Sequence, residues 1–580
     1  MIPAVPTFSV DEGFWYSATE DTELGSMVRV PLGGRRVRGY VVELSDRPPR
    51  SNLRSLGPKV MNPPVFDRGL LDALIWAAYR YVAPVAVLLD RATPPNLANR
   101  LPTPPPQPKP IAVEHALTEY SAAVASGRRR PPVAFIARSG DAGWVAGVGG
   151  PALEAGCSVL IVAATGAEVE GLATIARRHF ADQAVVVTPE TSAAETTTAW
   201  IRSQASGHLL IGTPRVAAWP IAGLAVAVAV EEGRRAMKER QTPTISVRDF
   251  LRTRSSLSAS GLVFVGPTPS LETIASGPTV IRSRPRAWPP VEIVDRNREP
   301  DMPGLLGVTA QAAIRAVTGR AGRVFVFAHR RGYAPAARCQ RCRTLRRCPN
   351  CGARPETAPN CPRCDAVLGP CASCGHTTFI PLGAGVGRVL EELGRRYGPM
   401  AAAAPAAAQI QVGSEADMAE LGFVDLTVAV DADGLVFGTN YRSAEEALRI
   451  LARLAGRVAG RSSRALVQTS MPDHPVMRAL MAGDPLPFAH DEIETRRRLQ
   501  FPPAGQLLVV ELRGPIPLEA DRHLQALGST VMGPAIRQGK HRWLLQGTDL
   551  GPTRKVLRPL VQRWRDGGTT VRIDSDPLDL

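Results

Sequence analysis

Lysine is almost absent from this 580-residue chain and occurs only at positions 59, 109, 238, 540 and 555. Lysine and arginine together number 69 against 53 acidic residues, so the formal net charge of +16 is carried almost wholly by guanidinium groups. A positive charge of this size predicts attraction to polyanions, with nucleic acid first and an ordinary solvated surface as the alternative.

Long hydrophobic runs are also missing. The longest, "IAGLAVAVAV" at 221–230, is about half the length of a membrane-spanning helix. No basic segment followed by an apolar core opens the sequence, so we expect a cytoplasmic protein. In that compartment, paired cysteines are typical of metal sites and not of disulfides.

Outside one short segment the chain has a single cysteine, Cys157, although it has nine in total. The other eight form four Cys-x-x-Cys pairs separated by spacers of five, nine and six residues: Cys339, Cys342, Cys348, Cys351, Cys361, Cys364, Cys371 and Cys374. Two such pairs complete a tetrahedral sulfur shell that suits Zn²⁺. Redox pairs and an iron–sulfur cluster are the alternatives.

The spacers favour a nested pairing of these cysteines. Nine residues form a hairpin easily, whereas five leave little room to turn two pairs towards one ion. We therefore expect Cys348, Cys351, Cys361 and Cys364 to hold one zinc, and Cys339, Cys342, Cys371 and Cys374 to hold a second. Closed four-sulfur sites have no open position for substrate, so both would be structural, and Arg338, Arg341, Arg343, Arg346 and Arg347 would lie on the surface of the segment.

The rest of the chain has the composition of a multidomain α/β protein. Residues 27–44 hold two β-rich runs around a Gly-Gly turn and precede a helical pattern, which indicates a small β-rich domain at 1–92. The proline-rich stretch 93–110 is typical of a stiff linker.

Two sets of apolar β-branched runs follow the linker. They predict two doubly wound lobes, at 111–285 and at 286–505, because strands covered on both faces lack polar alternation. The cysteine segment (336–380) is an insert in the second lobe, and the alanine-rich stretch 400–409 is expected to be a flexible loop. Strand-like runs after 506 predict a small α+β domain at 506–580.

A series of short motifs runs through nearly the whole chain: "VRVPLGGRRVRGYVVEL" (28–44), "HRRGYAPAARCQRC" (329–342), "DAD" (431–433), "NYRSAEE" (440–446), "LAGRVAGR" (454–461), "QTSMPDHP" (468–475), "VMGPA" (531–535) and "VRIDSDP" (571–577). In these motifs and in their order, the chain resembles the family of primosomal protein N′, also called PriA, which restarts stalled replication forks. The resemblance implies an N-terminal domain for a 3′ DNA end, two RecA-like helicase lobes, a two-zinc insert and a C-terminal domain. The family's winged helix has no counterpart of sufficient length here.

The nucleotide motifs of that family are degenerate in this chain. A phosphate loop has the form GxxxxGK[ST], in which lysine and a hydroxyl meet the phosphates and Mg²⁺. The corresponding stretch, "IARSGDAGWVAG" (136–147), has Gly143 and Trp144 at those two positions, and Asp141 adds a carboxylate. No lysine lies between Lys109 and Lys238 that could substitute.

Three further family elements are altered. The acidic DEEH box corresponds to "VEEG" (230–233), where Val230 replaces the metal-binding aspartate but Glu231 and Glu232 remain. "GPTPS" (266–270) stands for a coupling motif, and "VGSEADMAELGF" (412–423) lacks the family's lysine. Arg457 and Arg461 either correspond to γ-phosphate arginines or are ordinary surface arginines. We therefore predict no catalytic residues, no bound ATP or Mg²⁺ and no helicase activity.

Candidate DNA contacts are fewer and less specific. Arg35, Arg36 and Arg38 on the N-terminal hairpin, with Arg341 and Arg343 in the cysteine segment, could bind phosphate or could be solvated surface. The "FWY" run at 14–16 could stack an unpaired base, although packing in a small core is favoured.

The function expected from the resemblance is replication restart. Such a protein would bind branched or forked DNA and act with other primosome proteins, the replicative helicase or its loader, and single-stranded DNA-binding protein. Two alternatives stay open: an active ATP-dependent 3′ to 5′ helicase that uses other phosphate ligands, and a pseudoenzyme scaffold with little DNA affinity.

Overall fold

The computed structural model describes residues 1–47, 52–100, 102–106, 114–300, 304–329, 336–342, 344–355, 358–361, 364–382, 384–438, 440–460, 462–537 and 539–580. The chain forms two compact units. The first contains residues 1–135, 141–281 and 493–577, and the second contains 136–140, 282–492 and 578–580. Among the described residues, no helix is both long and apolar enough to cross a membrane.

The first unit begins with a small β-rich domain. Its antiparallel sheet has the order β1-β3-β2, built from β1 (Ile2–Pro3), β2 (Met27–Leu32) and β3 (Arg35–Tyr40). Two helices follow, α1 (Arg68–Arg80) and α2 (Val85–Leu89). Gly33 and Gly34 close the hairpin with positive φ angles, which glycine adopts without strain. Residues 93–100 and 102–106 contain no helix or strand, as a proline-rich linker predicts.

The first lobe is a seven-stranded sheet of order β10-β4-β9-β8-β5-β7-β6 within the first unit. Its strands are β4 (Val133–Ile136), β5 (Ser158–Val162), β6 (Ala184–Val187), β7 (Leu209–Gly212), β8 (Leu224–Val230), β9 (Gly261–Gly266) and β10 (Thr279–Arg282). Its helices are α3 (Thr118–Ala125), α4 (Trp144–Glu154), α5 (Gly166–Phe180), α6 (Ala193–Ser203), α7 (Val247–Ser258) and α8 (Leu271–Ala275). The pairs β9–β8, β8–β5, β5–β7 and β7–β6 are parallel, so the buried β-branched runs form the sheet that the sequence predicts.

The second unit contains the second lobe, a six-stranded sheet of order β11-β18-β17-β12-β16-β15 in which every pair is parallel. Its strands are β11 (Val291–Asp295), β12 (Val324–Phe327), β15 (Ala401–Ala403), β16 (Ile410–Gly413), β17 (Leu426–Ala429) and β18 (Arg464–Thr469). Its helices are α9 (Val308–Thr318), α10 (Val386–Tyr397), α11 (Asp433–Val436), α12 (Ser443–Ala455) and α13 (Pro475–Ala482). The expectation that 400–409 is only a flexible loop is wrong, because residues 401–403 form the edge strand β15.

The cysteine segment leaves the second lobe through the antiparallel pair β13 (Ala336–Cys339) and β14 (Phe379–Leu382). After α14 (Leu486–Arg498) the chain forms the C-terminal domain of the first unit. Its antiparallel sheet has the order β20-β21-β19-β22: β19 (Gln506–Arg513), β20 (Thr530–Arg537), β21 (Lys540–Gly547) and β22 (Thr570–Ser575). Helices α15 (Ala520–Gln525) and α16 (Gly551–Asp566) cover it.

Ion pairs join the three modules of the first unit. Arg558, on α16, pairs with Asp11 of the N-terminal domain and donates to the carbonyl oxygens of Ala78 and Ala83, at 2.9 Å each. Its guanidinium also lies 4.1 Å from the centre of the Tyr79 ring. Because the pair is almost wholly buried, each charge depends on the other for stabilisation.

Lys238 makes a second junction between modules. It follows β8 of the first lobe and donates to the Asp574 carboxylate at 2.6 Å and to the carbonyl oxygens of Ser575 and Asp576 at 2.7 and 2.9 Å. These three bonds account for the three hydrogens of the ammonium group. The lysine nearest in sequence to the "VEEG" box therefore holds the C-terminal domain.

Replacing Arg558 with Met should leave Asp11 buried without its partner and lower the free energy of unfolding by about 3–5 kcal/mol. Urea denaturation, followed at the first transition, measures the loss. Arg563→Met, on the exposed side of the same helix, is the control and should cost less than about 0.5 kcal/mol. Equal stability of the two variants would contradict a stabilising role for the Arg558–Asp11 pair.

Candidate functional site

The four Cys-x-x-Cys pairs share one backbone turn. In each, the amide of the first cysteine donates to the carbonyl oxygen five residues later: Cys339 to Thr344, Cys348 to Ala353, Cys361 to Ala366 and Cys371 to His376, at 2.8 to 2.9 Å. The residue four positions after the first cysteine has a positive φ at Gly352, Asp365 and Gly375. Its equivalent in the first pair, Arg343, lies outside the described residues. The repeated turn directs both sulfurs of a pair to one side.

The eight sulfurs lie in two groups of four. Cys339, Cys342, Cys371 and Cys374 form one group and Cys348, Cys351, Cys361 and Cys364 the other, with all sulfurs of a group within 4.8 Å of one another. The strand pair β13–β14 brings the two ends of the segment together and so places the first cysteine pair beside the last.

The sulfur spacing fits a tetrahedral metal ion. Facing Sγ atoms are 3.5 Å apart for Cys339–Cys374 and Cys348–Cys364, and 3.6 Å for Cys351–Cys361. Zn–S bonds of about 2.3 Å require sulfur separations of about 3.8 Å in a tetrahedron. Either group could therefore bind a zinc ion with little movement, and neither leaves an open coordination position.

Only part of the arginine set in the cysteine segment is exposed. Arg341 and Arg347 face solvent and Arg338 is half-buried. Arg346, expected on the surface, is instead buried: its guanidinium lies 4.3 Å from the centre of the Phe379 ring and donates to the carbonyl oxygen of Ala358 at 2.9 Å. Arg346 therefore packs the segment together and is not available to bind phosphate.

The N-terminal hairpin presents Arg35, Arg36 and Arg38, all exposed. Arg38 lies directly opposite Arg29 in the β2–β3 register, and Arg36 lies opposite Pro31 on the same face. Like charges opposite each other weaken a strand pair, so this face is suited to an anion. Arg29 was not among the predicted contacts, although counting alternate residues back from the Gly-Gly turn identifies it.

Next to this hairpin is a cavity of about 430 Å³ whose wall includes Phe14, Trp15 and Tyr16. Phe14 and Trp15 are 41% and 44% exposed, so the preference for core packing is wrong for these two rings. Glu43 and Asp46 also line this cavity, so the positive charge comes from the arginine face of the neighbouring strand pair. The exposed rings supply a surface on which an unpaired base can stack.

In the degenerate phosphate loop (136–147), the residues just before and at the start of α4 form hydrogen bonds with one another. The carboxylate of Asp141 accepts the backbone N–H of Gly143 at 3.2 Å, next to the start of α4. The indole N–H of Trp144 donates to the carbonyl oxygen of Asp141 at 2.9 Å, and the ring is 1% exposed. A helix N-terminus attracts anions, and here a protein carboxylate lies at that position.

The acidic residues of the "VEEG" box are also engaged. Glu232 accepts the amide of Ser270 at 2.8 Å and the hydroxyl of Thr273 at 2.6 Å, which connects it to the "GPTPS" segment. Glu231 has a φ of +48° and lies 3.7 Å from a guanidinium nitrogen of Arg234. Arg234 also pairs with Glu168 on α5. A buried guanidinium therefore neutralises the carboxylate that would have to act near a metal ion.

In the second unit, the stretch 412–423, which lacks the family's lysine, is held by hydrogen bonds between its own residues. Asp417 accepts the backbone amide and the hydroxyl of Ser414 at 2.7 and 2.9 Å. Arg457 donates to the carbonyl oxygen of Leu421 at 3.1 Å. Arg461 lies outside the described residues.

Comparison with known proteins gives a consistent result. Residues 3–94 match the family model for the 3′ DNA-binding domain (3′BD) of PriA. The "Replication restart protein PriA" of Synechocystis sp. is 26% identical, in an alignment that covers 70% of this chain and 57% of that protein. The protein of the same name from Haemophilus influenzae is 26% identical over 45% of this chain and 43% of its own length. The chain thus spans about half the length of these relatives.

A third relative extends the match to both termini. The "Probable replication restart protein PriA" of Mycobacterium leprae is 25% identical over 97% of each chain. Among solved structures, the DUF1998 helicase MrfA matches with a TM-score of 0.33 and 11% identity over 64% of this chain and 51% of MrfA. The Pyrococcus furiosus Hef helicase domain matches with a TM-score of 0.28 and 12% identity, over 60% and 95%.

The described residues combine a segment that matches a 3′ DNA-binding domain, two lobes built on parallel α/β sheets and an insert with two groups of four cysteines. They define a multidomain α/β protein. The chain is similar to the replication restart proteins named PriA, in its 3′ DNA-binding domain and, in one relative, over 97% of its length. The expected resemblance and the expected fold class are thereby confirmed.

Trp144 is almost wholly buried at the start of α4, so Trp144→Ala should create a cavity and lower the free energy of unfolding by about 3–5 kcal/mol. Urea denaturation measures the change. The exposed Trp15, replaced in the same way, is the control and should cost less than about 1 kcal/mol. If Trp144→Ala were no more destabilising than Trp15→Ala, the indole would not be part of the core.

Proposed function

We propose that the protein recognises stalled or branched replication forks and directs reassembly of the replication machinery without ATP-driven unwinding. The observation that carries this proposal is the interaction of Asp141 and Trp144 at the start of α4, where a motor of this fold would bind the β- and γ-phosphates. The similarity to replication restart proteins supports the restart role, and the hydrogen bonds within the degenerate phosphate loop (136–147) support the loss of the motor.

Three observations support the absence of phosphoryl transfer. The N-terminus of α4 already has a carboxylate beside it, and Glu231 faces a guanidinium where a metal ion would be required. The three donors of Lys238 are used in holding the C-terminal domain. Because this reaction depends on electrostatic clamps around the phosphates, losing them together removes most of the rate enhancement.

DNA binding would begin at the N-terminal domain. The arginine face formed by Arg29, Arg36 and Arg38 would contact the phosphate backbone, and the cavity with Phe14 and Trp15 would accept the unpaired base at a 3′ end. The exposed Arg341 of the cysteine segment, together with Arg343, would add further phosphate contacts. Affinity gained mainly from arginine–phosphate pairs should fall steeply as salt rises.

We assign one structural zinc to each group of four cysteines. The described residues of the segment include few buried apolar side chains apart from the small cluster around Cys348, Cys361 and Leu368, so metal bonds would supply much of its folding free energy. A rigid segment of this kind is a suitable docking surface for the partners of a restart protein: other primosome proteins, the replicative helicase or its loader, and single-stranded DNA-binding protein. The protein would act in the cytoplasm, at the nucleoid.

The proposal predicts that the protein binds a forked DNA with a free 3′ end equally well with and without ATP and Mg²⁺. Fluorescence anisotropy across a series of salt concentrations measures affinity, and calorimetry with ATP and Mg²⁺ on the same preparation should show no heat of binding. Trp15→Ala should weaken binding to the free 3′ end by about 1–3 kcal/mol, because it removes a stacking surface, and should leave binding to a blocked end unchanged.

Two results would overturn this assignment. Nucleotide-dependent strand separation that is lost on Glu231→Gln would show an active helicase. Weak binding that does not distinguish forked from linear DNA would show a scaffold.

The zinc assignment predicts two zinc ions per chain by elemental analysis. Cys351→Ser should lower the content to about one, because it removes a ligand from the inner group and leaves the outer group intact. Cys157→Ser is the matched control and should retain both, since Cys157 lies far from the groups in sequence and is not a member of either. A content near two in Cys351→Ser, or a metal other than zinc, would contradict the assignment.

A further inference from the structure

Three consecutive arginines, Arg128, Arg129 and Arg130, lie between α3 and β4 in the first lobe, and neither the sequence motifs nor the proposed function uses them. All three are exposed, and none is paired with a carboxylate among the residues that the structure describes. Pro131 and Pro132 follow directly and restrict the backbone, and the carbonyl oxygen of Pro132 accepts the amide of Thr279 at 2.9 Å. The segment is therefore held against the sheet.

Two clefts lie on either side of Arg130. The larger, about 300 Å³, is lined by Arg129 and Arg130 from this segment and by Arg252, Ser255 and Ser260 from α7 and the turn after it. The smaller, about 240 Å³, is lined by Arg130, Pro131 and the start of β4, with Tyr120 and Glu119 of α3 on the other wall. Arg130 can thus reach a ligand in either cleft.

The larger cleft contains hydrogen-bonding groups without partners. Ser255 is 5% exposed, and its hydroxyl has no hydrogen-bond partner in the structure. The buried hydroxyl of Ser260, on the same wall, also has none. The cleft is lined by three guanidinium groups, which favour a ligand with several acceptor oxygens. The two orphan hydroxyls lie just below its wall and could donate to such a ligand after a side-chain rotation.

The neighbouring charges leave this cleft positive. Asp249, the nearest acidic residue on α7, is engaged with Arg248, which also pairs with Glu272. The carboxyl ends of α3 and α7 lie close by and help to hold cations there, but they contribute only partial charges. Glu119 is acidic and lines the smaller cleft, but it does not line the larger one. A group with a full negative charge and several oxygens, such as phosphate, matches this site.

The position of the clefts separates them from the nucleotide motifs. They lie at the amino ends of β4 and β9, whereas the degenerate phosphate loop and the "VEEG" box follow the carboxyl ends of β4 and β8. Among the described residues that line the two clefts, Tyr120 is the one with an aromatic ring, and its hydroxyl is bonded to the backbone of Leu262. Without a free aromatic surface, unpaired bases would gain little here, so a paired duplex is the better ligand.

We propose that this arginine–serine cleft binds the phosphate backbone of a DNA duplex, as a contact separate from the N-terminal domain. It rests on the proposed function, since it assigns a second DNA site to a fork-binding protein. A duplex arm bound here would lie at the amino ends of the strands, and the degenerate phosphate loop lies at their carboxyl ends.

The test uses the full chain and a covalently closed DNA dumbbell, which has no 3′ end. Arg129→Ala/Arg130→Ala should weaken dumbbell binding about tenfold at low salt and reduce the slope of log affinity against log salt by roughly 1.8, for two lost phosphate contacts. Arg129→Lys/Arg130→Lys should retain most of that slope, because the charges remain. Arg177→Ala/Arg178→Ala, an adjacent exposed pair on α5 of the same lobe, is matched in charge and should change neither value.

The outcomes are distinguishable. Equal dumbbell binding by wild type and Arg129→Ala/Arg130→Ala, while a free 3′ end is still bound, would overturn this inference and leave the proposed function standing. Wild-type protein that binds neither dumbbell nor fork would instead defeat the proposed function, and the cleft assignment with it. Calorimetry with pyrophosphate tests whether the ligand is a free phosphate compound and not DNA. If Arg129→Ala/Arg130→Ala abolished the heat of pyrophosphate binding but left dumbbell binding unchanged, the cleft would be a site for free phosphate compounds and the inference would be wrong.

Discussion

Buried charges that must find partners are the constraint on which the rest of the first unit depends. Arg558 on α16 pairs with Asp11 of the N-terminal domain, and Lys238 of the first lobe gives its three hydrogens to residues 574–576. A cation taken out of water is tolerated only when such partners are fixed in place, and each partner here belongs to a different module. The N-terminal domain, the first lobe and the C-terminal domain are therefore joined by contacts that require no nucleotide. The first lobe can then act as a framework for DNA-binding modules even if its motor chemistry is lost.

Almost all positive charge in this chain comes from arginine, so a strongly basic composition and the absence of a phosphate-loop lysine are compatible. Arginine binds backbone phosphates well, because its planar group carries several fixed donors, but it does not take the place of the compact ammonium group inside a tight loop. In this chain some guanidinium groups, such as those of Arg234, Arg346 and Arg558, are buried in internal contacts, and others lie on exposed strands and turns. At the start of α4, by contrast, Asp141 and Trp144 bond within their own loop. The same composition therefore favours contact with an extended polyanion over the enclosure of a nucleotide.

Much of the fold follows from local sequence pattern, and the errors come from contacts made over long distances. Apolar β-branched runs predict β4 to β9 of the first lobe and β12, β17 and β18 of the second, but not β10, β11, β15 or β16. The spacers of the cysteine segment favour the same nested grouping of sulfurs that the structure shows. The strand β15 could not be predicted, since three alanines have little strand preference and become a strand only by pairing with β16. The burial of Arg346 depends on Phe379, which is 33 positions away in the sequence. Phe14 and Trp15 line an open cavity whose other walls come from residues 41–46, 53 and 56. The sequence around positions 14–16 does not reveal that cavity, so the exposure of the two rings could not be predicted.

If the protein binds forks without hydrolysing ATP, as proposed, it needs another way to release its DNA. A nucleotide-driven motor alternates between states because ATP and its products favour different conformations, and a ligand that binds two states equally shifts neither. In this chain, residues that would sense the nucleotide are bonded to one another: Glu232 to Ser270 and Thr273, Glu231 to Arg234, and Asp417 to Ser414. Under the proposed function, release must then come from a competing polyanion or from a protein partner that binds the DNA-free state better. Separate phosphate contacts at the N-terminal hairpin and at the arginine–serine cleft suit this requirement, because contacts that are individually weak and sensitive to salt can be displaced one after another.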